Sequence, residues 1–236
     1  MDHPVVSDAV LAELATLDTP TVCNALELVA PQRRGDGYTI KPMFCLRPAL
    51  APIVGYARTA TVGAVRPTTL SATDYAALND AYYEYMGSGP GPTITVIADV
   101  DGEQRGYGAW WGEVNSNIHR GLGSLGVITD GSIRDLPDIA EGFQMLAGSV
   151  GPSHAYVHVE AFNLEVDIFG MKVQHGDLIH ADQHGAVVIP LDVADQVKAA
   201  AGKVARREAI IIKAAKTKGF NIDKLRAAFS SPDEMH

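Results

Sequence analysis

The order of elements around residues 112–130 limits the fold more than any other feature of the chain. Trp110, Val114, Ile118 and Leu122 recur at helical spacing, which predicts a helix over about Gly112–Arg120. Gly121-Leu-Gly123-Ser-Leu-Gly126 follows, and the apolar run Leu125–Thr129 predicts a strand. The glycines match G-x-G-x-x-G. A dinucleotide loop, however, needs a strand before the glycines and a helix after them, so that the helix N-terminus faces the pyrophosphate. Here the order is reversed, and Asp130-Gly131, which reads as a turn, lies within four residues of Gly126. A nucleotide fold is therefore set aside. Gly121 is expected to cap the preceding helix and the other glycines to make a tight helix-to-strand connection.

The remaining elements alternate loosely. Ser7–Thr16 reads as a short helix. Thr19-Pro20 reads as an N-cap and first-turn proline opening a helix with Val22, Leu26 and Val29 on one side. Arg33–Pro52 reads as loop, Ile53–Val65 as a strand, Ala72–Met86 as a helix and Thr93–Val100 as a buried strand. Several short strands are expected from Gln144 to Pro190, with a turn at Gln183-His184-Gly185, and then a long helix over Leu191–Lys218. Helices and strands mixed without a clean βαβ rhythm predict an α/β sandwich, not a doubly wound sheet.

Charge and cysteine content narrow the partners. A net charge of −9 argues against nucleic acid, which needs clustered Lys and Arg. No apolar run reaches the ~20 residues of a membrane span. The acidic N-terminus MDHPVVSDAV lacks the basic start of a signal peptide. Cys23 and Cys45 have no C-x-x-C spacing and suit a reducing cytoplasm.

Two charged groups are the candidates for chemistry. Glu113 opens the predicted helix beside Gly112, and Arg134-Asp135 lie just before Leu136-Pro137-Asp138. Asp135 can be an N-cap with Pro137 and Asp138 in the following turn, and Glu113 can be an ordinary first-turn acid. Taken as a set, the same residues would form a ligand site. Gly112 admits a close approach, and the N–H groups near Glu113, Val114 and Asn115 offer an anion site. Arg134 can grip a carboxylate or carbonyl oxygen. Asp135 and Glu113 can hold a hard divalent cation, directly or through its waters. Together these suit a small 2-oxo acid chelated to Mg2+ or Mn2+.

At these residues the chain resembles the RraA-like family, which includes the class II 4-hydroxy-4-methyl-2-oxoglutarate / 4-carboxy-4-hydroxy-2-oxoadipate aldolases. The motif that carries the resemblance is an acid, twenty residues, then Arg-Asp: here Glu113 and Arg134-Asp135, with Asp138 at a further acidic position. Asp18-Thr19-Pro20-Thr21-Val22, Gly55 to Val62, and Gly176-Asp177-Leu178 to Pro190 are similar to other family segments. Three departures stand out. The aldolases have Asp at the place of Glu113, the family commonly has Asp at the place of His184, and Gln144–Glu160 does not follow the usual short segment.

The resemblance implies a single domain over residues 1–236, with a C-terminal helical extension over 191–236 at a subunit interface. It implies a layered α/β/β/α sandwich similar to the swivelling phosphohistidine-domain fold. It also implies a homotrimer, sometimes a hexamer, and a metal-dependent lyase that releases pyruvate and also decarboxylates oxaloacetate. Arg134, Glu113 and Glu208 would then be catalytic, with Glu208 reaching a neighbouring subunit's metal shell. Gly112, Glu113, Val114, Asn115 and Arg134 would bind substrate, and Asp135 and Glu113 would bind metal. Two other outcomes stay open: a non-catalytic regulator that binds a ribonuclease, as some family members do, and a lyase or isomerase acting on a different hydroxy-oxo acid.

Val204, Glu208, Ile211, Ile212 and Ala215 fall near one helical face, so Glu208 also reads as an edge residue paired to a nearby arginine or lysine. An apolar face on a long helix asks for a partner surface. His154 and His158, with Glu160, and His175, His180 and His184 are close enough in sequence to suggest zinc only if three or four converge, and are otherwise surface or pocket residues.

Overall fold

Eleven consecutive buried residues, Ile53–Gly63, form the strand around which the chain is organised. A strand buried on every residue must be covered on both faces, as in parallel sheets. The computed structural model describes residues 5–230, so the ends of the 1–236 and 191–236 spans and the first residues of the N-terminal segment lie outside the described residues. In chain order the elements are α1 (Asp8–Leu14), α2 (Thr19–Val29), β1 (Phe44–Cys45), β2 (Ile53–Gly63), α3 (Ala72–Met86), β3 (Thr93–Asp99), β4 (Ala109–Trp111), α4 (Glu113–Gly121), β5 (Ser124–Ile133), β6 (Gln144–Val150), β7 (His158–Phe162), β8 (Val166–Ile168), β9 (Met171–Val173), β10 (Leu178–Asp182), β11 (Gly185–Ile189), α5 (Val197–Ala215) and α6 (Ile222–Phe229).

The sheet runs β1-β6-β5-β3-β2-β10-β11, with β4 added to β5 and β7 to β2. Its centre, β6-β5-β3-β2, is parallel, and β1, β7, β10 and β11 are antiparallel. One edge of β2 pairs β3; the other pairs β10 along Ile53–Tyr56 and β7 along Ala60–Gly63, with a register shift at Thr61/Val62. That change of partner curls the sheet, as bulges do.

Three buried clusters fill the layers. Tyr82 and Met86 of α3 pack with Trp111, Val127 and Phe143 on one face. The β8–β9 hairpin packs Val166, Ile168, Met171 and Val173 on Ile94, Val96 and Ile128 of the other. Leu14, Val22, Leu26, Val197 and Ala201 of α1, α2 and α5 cover Tyr56, Leu178 and Val187. The chain is thus a mixed α/β fold with a curled mixed sheet, flanking helices and a long C-terminal helix.

Several expectations are corrected here. β2–α3–β3–α4–β5 is a βαβαβ run with parallel strands, so the βαβ rhythm is present; α3 and α4 lie with one cluster while the hairpin covers the other face, and the sheet is not doubly wound. Asp18, not Thr19, is the N-cap of α2: its extended backbone lets its carboxylate accept the Thr21 N–H at 2.9 Å. Asp130-Gly131 is no turn; β5 continues through it to Ile133, with a register shift against β6 between Thr129 and Ser132. Gly123, with φ +95°, supplies the left-handed exit from α4, while Gly121 is its last helical residue. The Arg33–Pro52 loop contains the short strand β1, and the last long helix starts only at Val197, after a 3-10 turn at Ala194–Gln196.

Among the described residues no helix is long and apolar enough to cross a membrane.

Candidate active site

β4 and β5 run parallel with Trp111 opposite Ile133, and the Arg134 N–H donates to the Trp111 carbonyl at 2.9 Å. One residue further the two chains part. Gly112 turns into α4, and Arg134-Asp135 lead into a 3-10 turn at Leu136–Asp138. Glu113 and Asp135, 22 positions apart in sequence, therefore meet at the carboxyl end of the parallel sheet. Ligands of α/β proteins commonly sit at that edge.

Asp135 does not do what an N-cap does. Its backbone is left-handed, φ 53° and ψ 39°, and its side chain makes no capping bond to the 3-10 turn. The Asp138 N–H bonds instead to its carbonyl, at 2.9 Å. The carboxylate turns back over the start of α4, where Oδ2 accepts the Glu113 N–H at 3.3 Å and lies 3.6 Å from Arg134 Nε. A left-handed non-glycine costs on the order of 1 kcal/mol, and here it aims a charged group at a helix N-terminus. Gly112 makes that approach possible, since a Cβ on it would lie 2.4 Å from Asp135 Oδ2. Arg134 and Asp135 side chains are each 35% exposed, so both stay within reach of a ligand.

A buried network holds α4 from below. The Asn115 amide donates to the Trp110 carbonyl at 2.7 Å and accepts the Tyr83 hydroxyl at 3.0 Å. His119 Nδ1 lies 2.7 Å from the Asn115 carbonyl and Nε2 lies 2.7 Å from the Tyr82 hydroxyl, while the ring packs 4.6 Å from that of Trp111. A neutral ring with its proton on Nδ1 satisfies both contacts. Burial pushes His119 down to about 4 despite its bond to Asn115. Asn115 thus braces the helix start through its side chain, leaving backbone N–H groups as its means of meeting a ligand.

A second ionic group lies one strand inward. Asp130 Oδ2 sits 2.9 Å from Arg105 Nε, and Oδ1 accepts the Asp99 N–H at 2.8 Å. Asp99 accepts the N–H groups of Gly106 and Asp101, at 2.8 and 2.9 Å. Burial pushes Asp130 up to about 6, and Asp99 upward too, against the pull of Arg105. This cluster ties β3 and β5 to the loop that delivers β4. Sequence reasoning missed it by taking Asp130 for a turn residue; an acid inside a β-branched run, with Arg105 between two strands, was the available signal.

The other candidate residues are dispersed. Glu113 and Val114 are exposed at the start of α4. Glu208 is exposed on α5, in an open groove with Ala205, Ala209, Ile212, Lys213 and Lys216, and α5 packs on α1, α2 and α6. No salt bridge joins Glu208 to a neighbouring arginine or lysine among the described residues. The histidines do not converge. His154 bonds to the Ala155 carbonyl, His158 to Glu160, His175 to Tyr85, buried His180 to Thr19, and His184 to Asp182. Asp182 also accepts the Thr19 N–H at 2.9 Å, so the Asp18-Thr19 and Ala181-Asp182 motifs tie α2 to β10.

Among the described residues no group of three or more His, Cys, Asp and Glu is placed to hold a metal ion. The donors at the site are the carboxylates of Asp135 and Glu113. A donor set of two carboxylates suits Mg2+, which keeps several waters and takes one or two protein carboxylates, better than zinc. That the Asp135 carboxylate is 35% exposed and makes no capping bond to its own turn is the structural observation in favour of that fit.

The model of the RraA-like family, Aldolase/RraA, matches residues 19–188. An uncharacterized protein of Methanocaldococcus jannaschii is 34% identical over 96 residues, 40% of this chain; the chain spans about half, 46%, of that relative's length. Among solved structures, an uncharacterized protein from Pseudomonas syringae pv. tomato has TM-score 0.71 at 23% identity, covering 96% of this chain and 97% of the other. RraAS2 of Streptomyces coelicolor, described as an unusual member of the RNase ES inhibitor RraA family, has TM-score 0.68 at 22% identity, covering 88% and 97%. At these identities the solved structures establish likeness of fold.

Proposed function

We propose that this chain, which belongs to the RraA-like (Aldolase/RraA) family, is a divalent-metal-dependent C–C lyase. It cleaves a 4-hydroxy-2-oxo dicarboxylic acid to pyruvate and a second oxo acid, and decarboxylates oxaloacetate at the same site. One observation carries this reading: Asp135 is held left-handed over the start of α4, in the space left by Gly112, next to Arg134. That family contains regulators as well as aldolases, and an Asp135 that leaves its own turn uncapped while staying 35% exposed favours the catalytic reading.

Arg134 and the N–H groups of Val114 and Asn115, next to the Glu113 N–H that Asp135 occupies, hold the substrate's carboxylate and 2-oxo end. Asp135 and Glu113 would hold Mg2+ or Mn2+, which supplies Lewis-acid stabilisation of charge on the 2-oxo oxygen. A water oriented by Glu113, or by Glu208 supplied by a second copy of the chain, takes the proton of the 4-hydroxyl. The C3–C4 bond then breaks, its electron pair goes to the pyruvate enolate, and the former C4 becomes a carbonyl. Arg134 stabilises the enolate oxygen as charge develops, and protonation at C3 gives pyruvate. Loss of CO2 from oxaloacetate passes through the same enolate. This reading takes the protein as cytoplasmic and homo-oligomeric, trimer or hexamer, with a small 2-oxo acid and no nucleic acid or membrane as its partner.

The test is pyruvate release from 4-hydroxy-2-oxo acids and oxaloacetate, with Mg2+ and with EDTA. Metal-dependent turnover that falls ~100-fold or more in Arg134→Ala and Asp135→Ala is expected. Full activity in either variant defeats the proposal. The second reading, a ribonuclease-binding regulator, draws on the fold shared with RraAS2 and on Val114, 68% exposed at the site's edge. Capture of a ribonuclease together with no turnover on C4 to C7 oxo acids selects it.

A further inference from the structure

A polar cleft of about 670 Å3 opens at the carboxyl ends of β2 and β3, outside the Arg134–Asp135 site. Its walls are residues 63–70 after β2, the turn Val100–Gln104 after β3, and His158–Glu160 of β7. Its volume lies within the range of small-molecule sites.

Three features show a built cleft. His158 is buried, and both of its ring nitrogens face acceptors: Nδ1 is 2.8 Å from the Tyr156 carbonyl and Nε2 is 2.9 Å from Glu160 Oε1. Tyr75 closes on the ring edge-on at 6.3 Å. The ring therefore fixes the Glu160 carboxylate, which is half exposed in the cleft wall. Gly63 makes room for it, since a Cβ there would lie 3.1 Å from Oε1. Beside Gly63, too, Asp101 accepts the N–H groups of Ala64 and Val65 at 2.6 and 3.1 Å, which pins the loop that presents Arg66, Thr68 and Thr69.

The wall combines two carboxylates, hydroxyls and a guanidinium; Asp101 is engaged by the Ala64 and Val65 N–H groups, which leaves Glu160 as the carboxylate presented to a ligand. Glu160 accepts hydrogen bonds from hydroxyl groups, the threonines give and accept them, and Arg66 pairs with an anionic end. We propose that this cleft is a second small-molecule site, for a polyhydroxylated monocarboxylate of sugar-acid size. Its hydroxyls meet Glu160, and its carboxylate meets Arg66.

Gluconate is a suitable probe, followed by calorimetry and by amide shifts of the full-length chain, with glucose and propionate as ligands that each lack one of the two features. Gluconate is expected to bind and to shift residues 63–70, and each control to bind at least tenfold more weakly. Glu160→Gln and Arg66→Ala should each weaken gluconate at least tenfold, while Arg134→Ala leaves binding unchanged. Arg134→Ala separates this cleft from the proposed lyase site, whose failure would leave the gluconate result standing. Absence of gluconate binding, equal binding of glucose, or full affinity in both cleft variants overturns the proposal. Circular dichroism of each variant confirms that a loss is not unfolding.

Discussion

Asp135 occupies the space in which a side chain on Gly112 would begin: a Cβ at Gly112 would stand 2.4 Å from Asp135 Oδ2. Gly112 has an extended backbone, φ −162°, that any residue adopts, so the requirement is for space and not for conformation. Gly112→Ala must push Asp135 off the Glu113 N–H. A displacement of about 1 Å is worth on the order of 100-fold in rate, and crowding of this kind costs about 1–3 kcal/mol. Pyruvate release and urea unfolding of the variant measure both. Wild-type turnover would show that Asp135 needs no such placement.

Asp135→Asn separates charge from shape. Asparagine also tolerates the left-handed backbone, so thermal stability should change by less than about 1 kcal/mol. Turnover should fall ~100-fold, because the charge that faces the Glu113 N–H and Arg134 is gone. A large stability loss with activity intact would make Asp135 a structural residue.

His119 gives the fold an acid-sensitive support. The buried neutral ring takes a proton only near pH 4, whereas the unfolded chain's ring takes one near 6.5. The folded state thus binds fewer protons in that window, and stability is lost as pH falls from about 6.5 to about 4. The contribution is roughly 3 kcal/mol at most. Urea midpoints across this range should fall in the wild type and flatten in His119→Gln. Equal pH slopes in both proteins would exclude His119.

Asp130 has the opposite sign. Its folded carboxyl holds its proton up to about 6, against an ordinary 3.8, because burial disfavours the charge. Between those values the folded state binds more protons, so this group's contribution is lost as pH rises from about 4 to about 6. Asp130→Asn keeps an acceptor for the Asp99 N–H. Its stability relative to wild type should therefore increase from pH 4 to pH 6, as measured by denaturant unfolding. A constant difference would mean that Arg105 cancels the burial.

Local pattern made much of this molecule legible. The Ala72–Met86 helix and the strands opening at Ile53 and Thr93 follow from periodicity and capping, because each is decided by neighbours within a few residues. The reversed helix–glycine–strand order ruled out a nucleotide loop for the same reason. Glu113, Arg134 and Asp135 could be named as a set from their spacing and residue types. Their meeting could not, since it depends on β4 pairing β5 in a register that places Trp111 beside Ile133.

Tertiary packing decided the remainder. Asp130-Gly131 has the composition of a turn, but flanking parallel strands and the Arg105 contact hold it inside β5. Asp135 has the sequence context of an N-cap, but the gap beside Gly112 draws its carboxylate to another helix. Buried His119 and the cleft around His158 join residues tens of positions apart, from Tyr82 to His119 and from Gly63 to Glu160. Sequence alone determined which segments become helix or strand and which charged residues are available. Strand register and side-chain packing determined which of them touch, because long-range contacts and burial have no counterpart in local spacing.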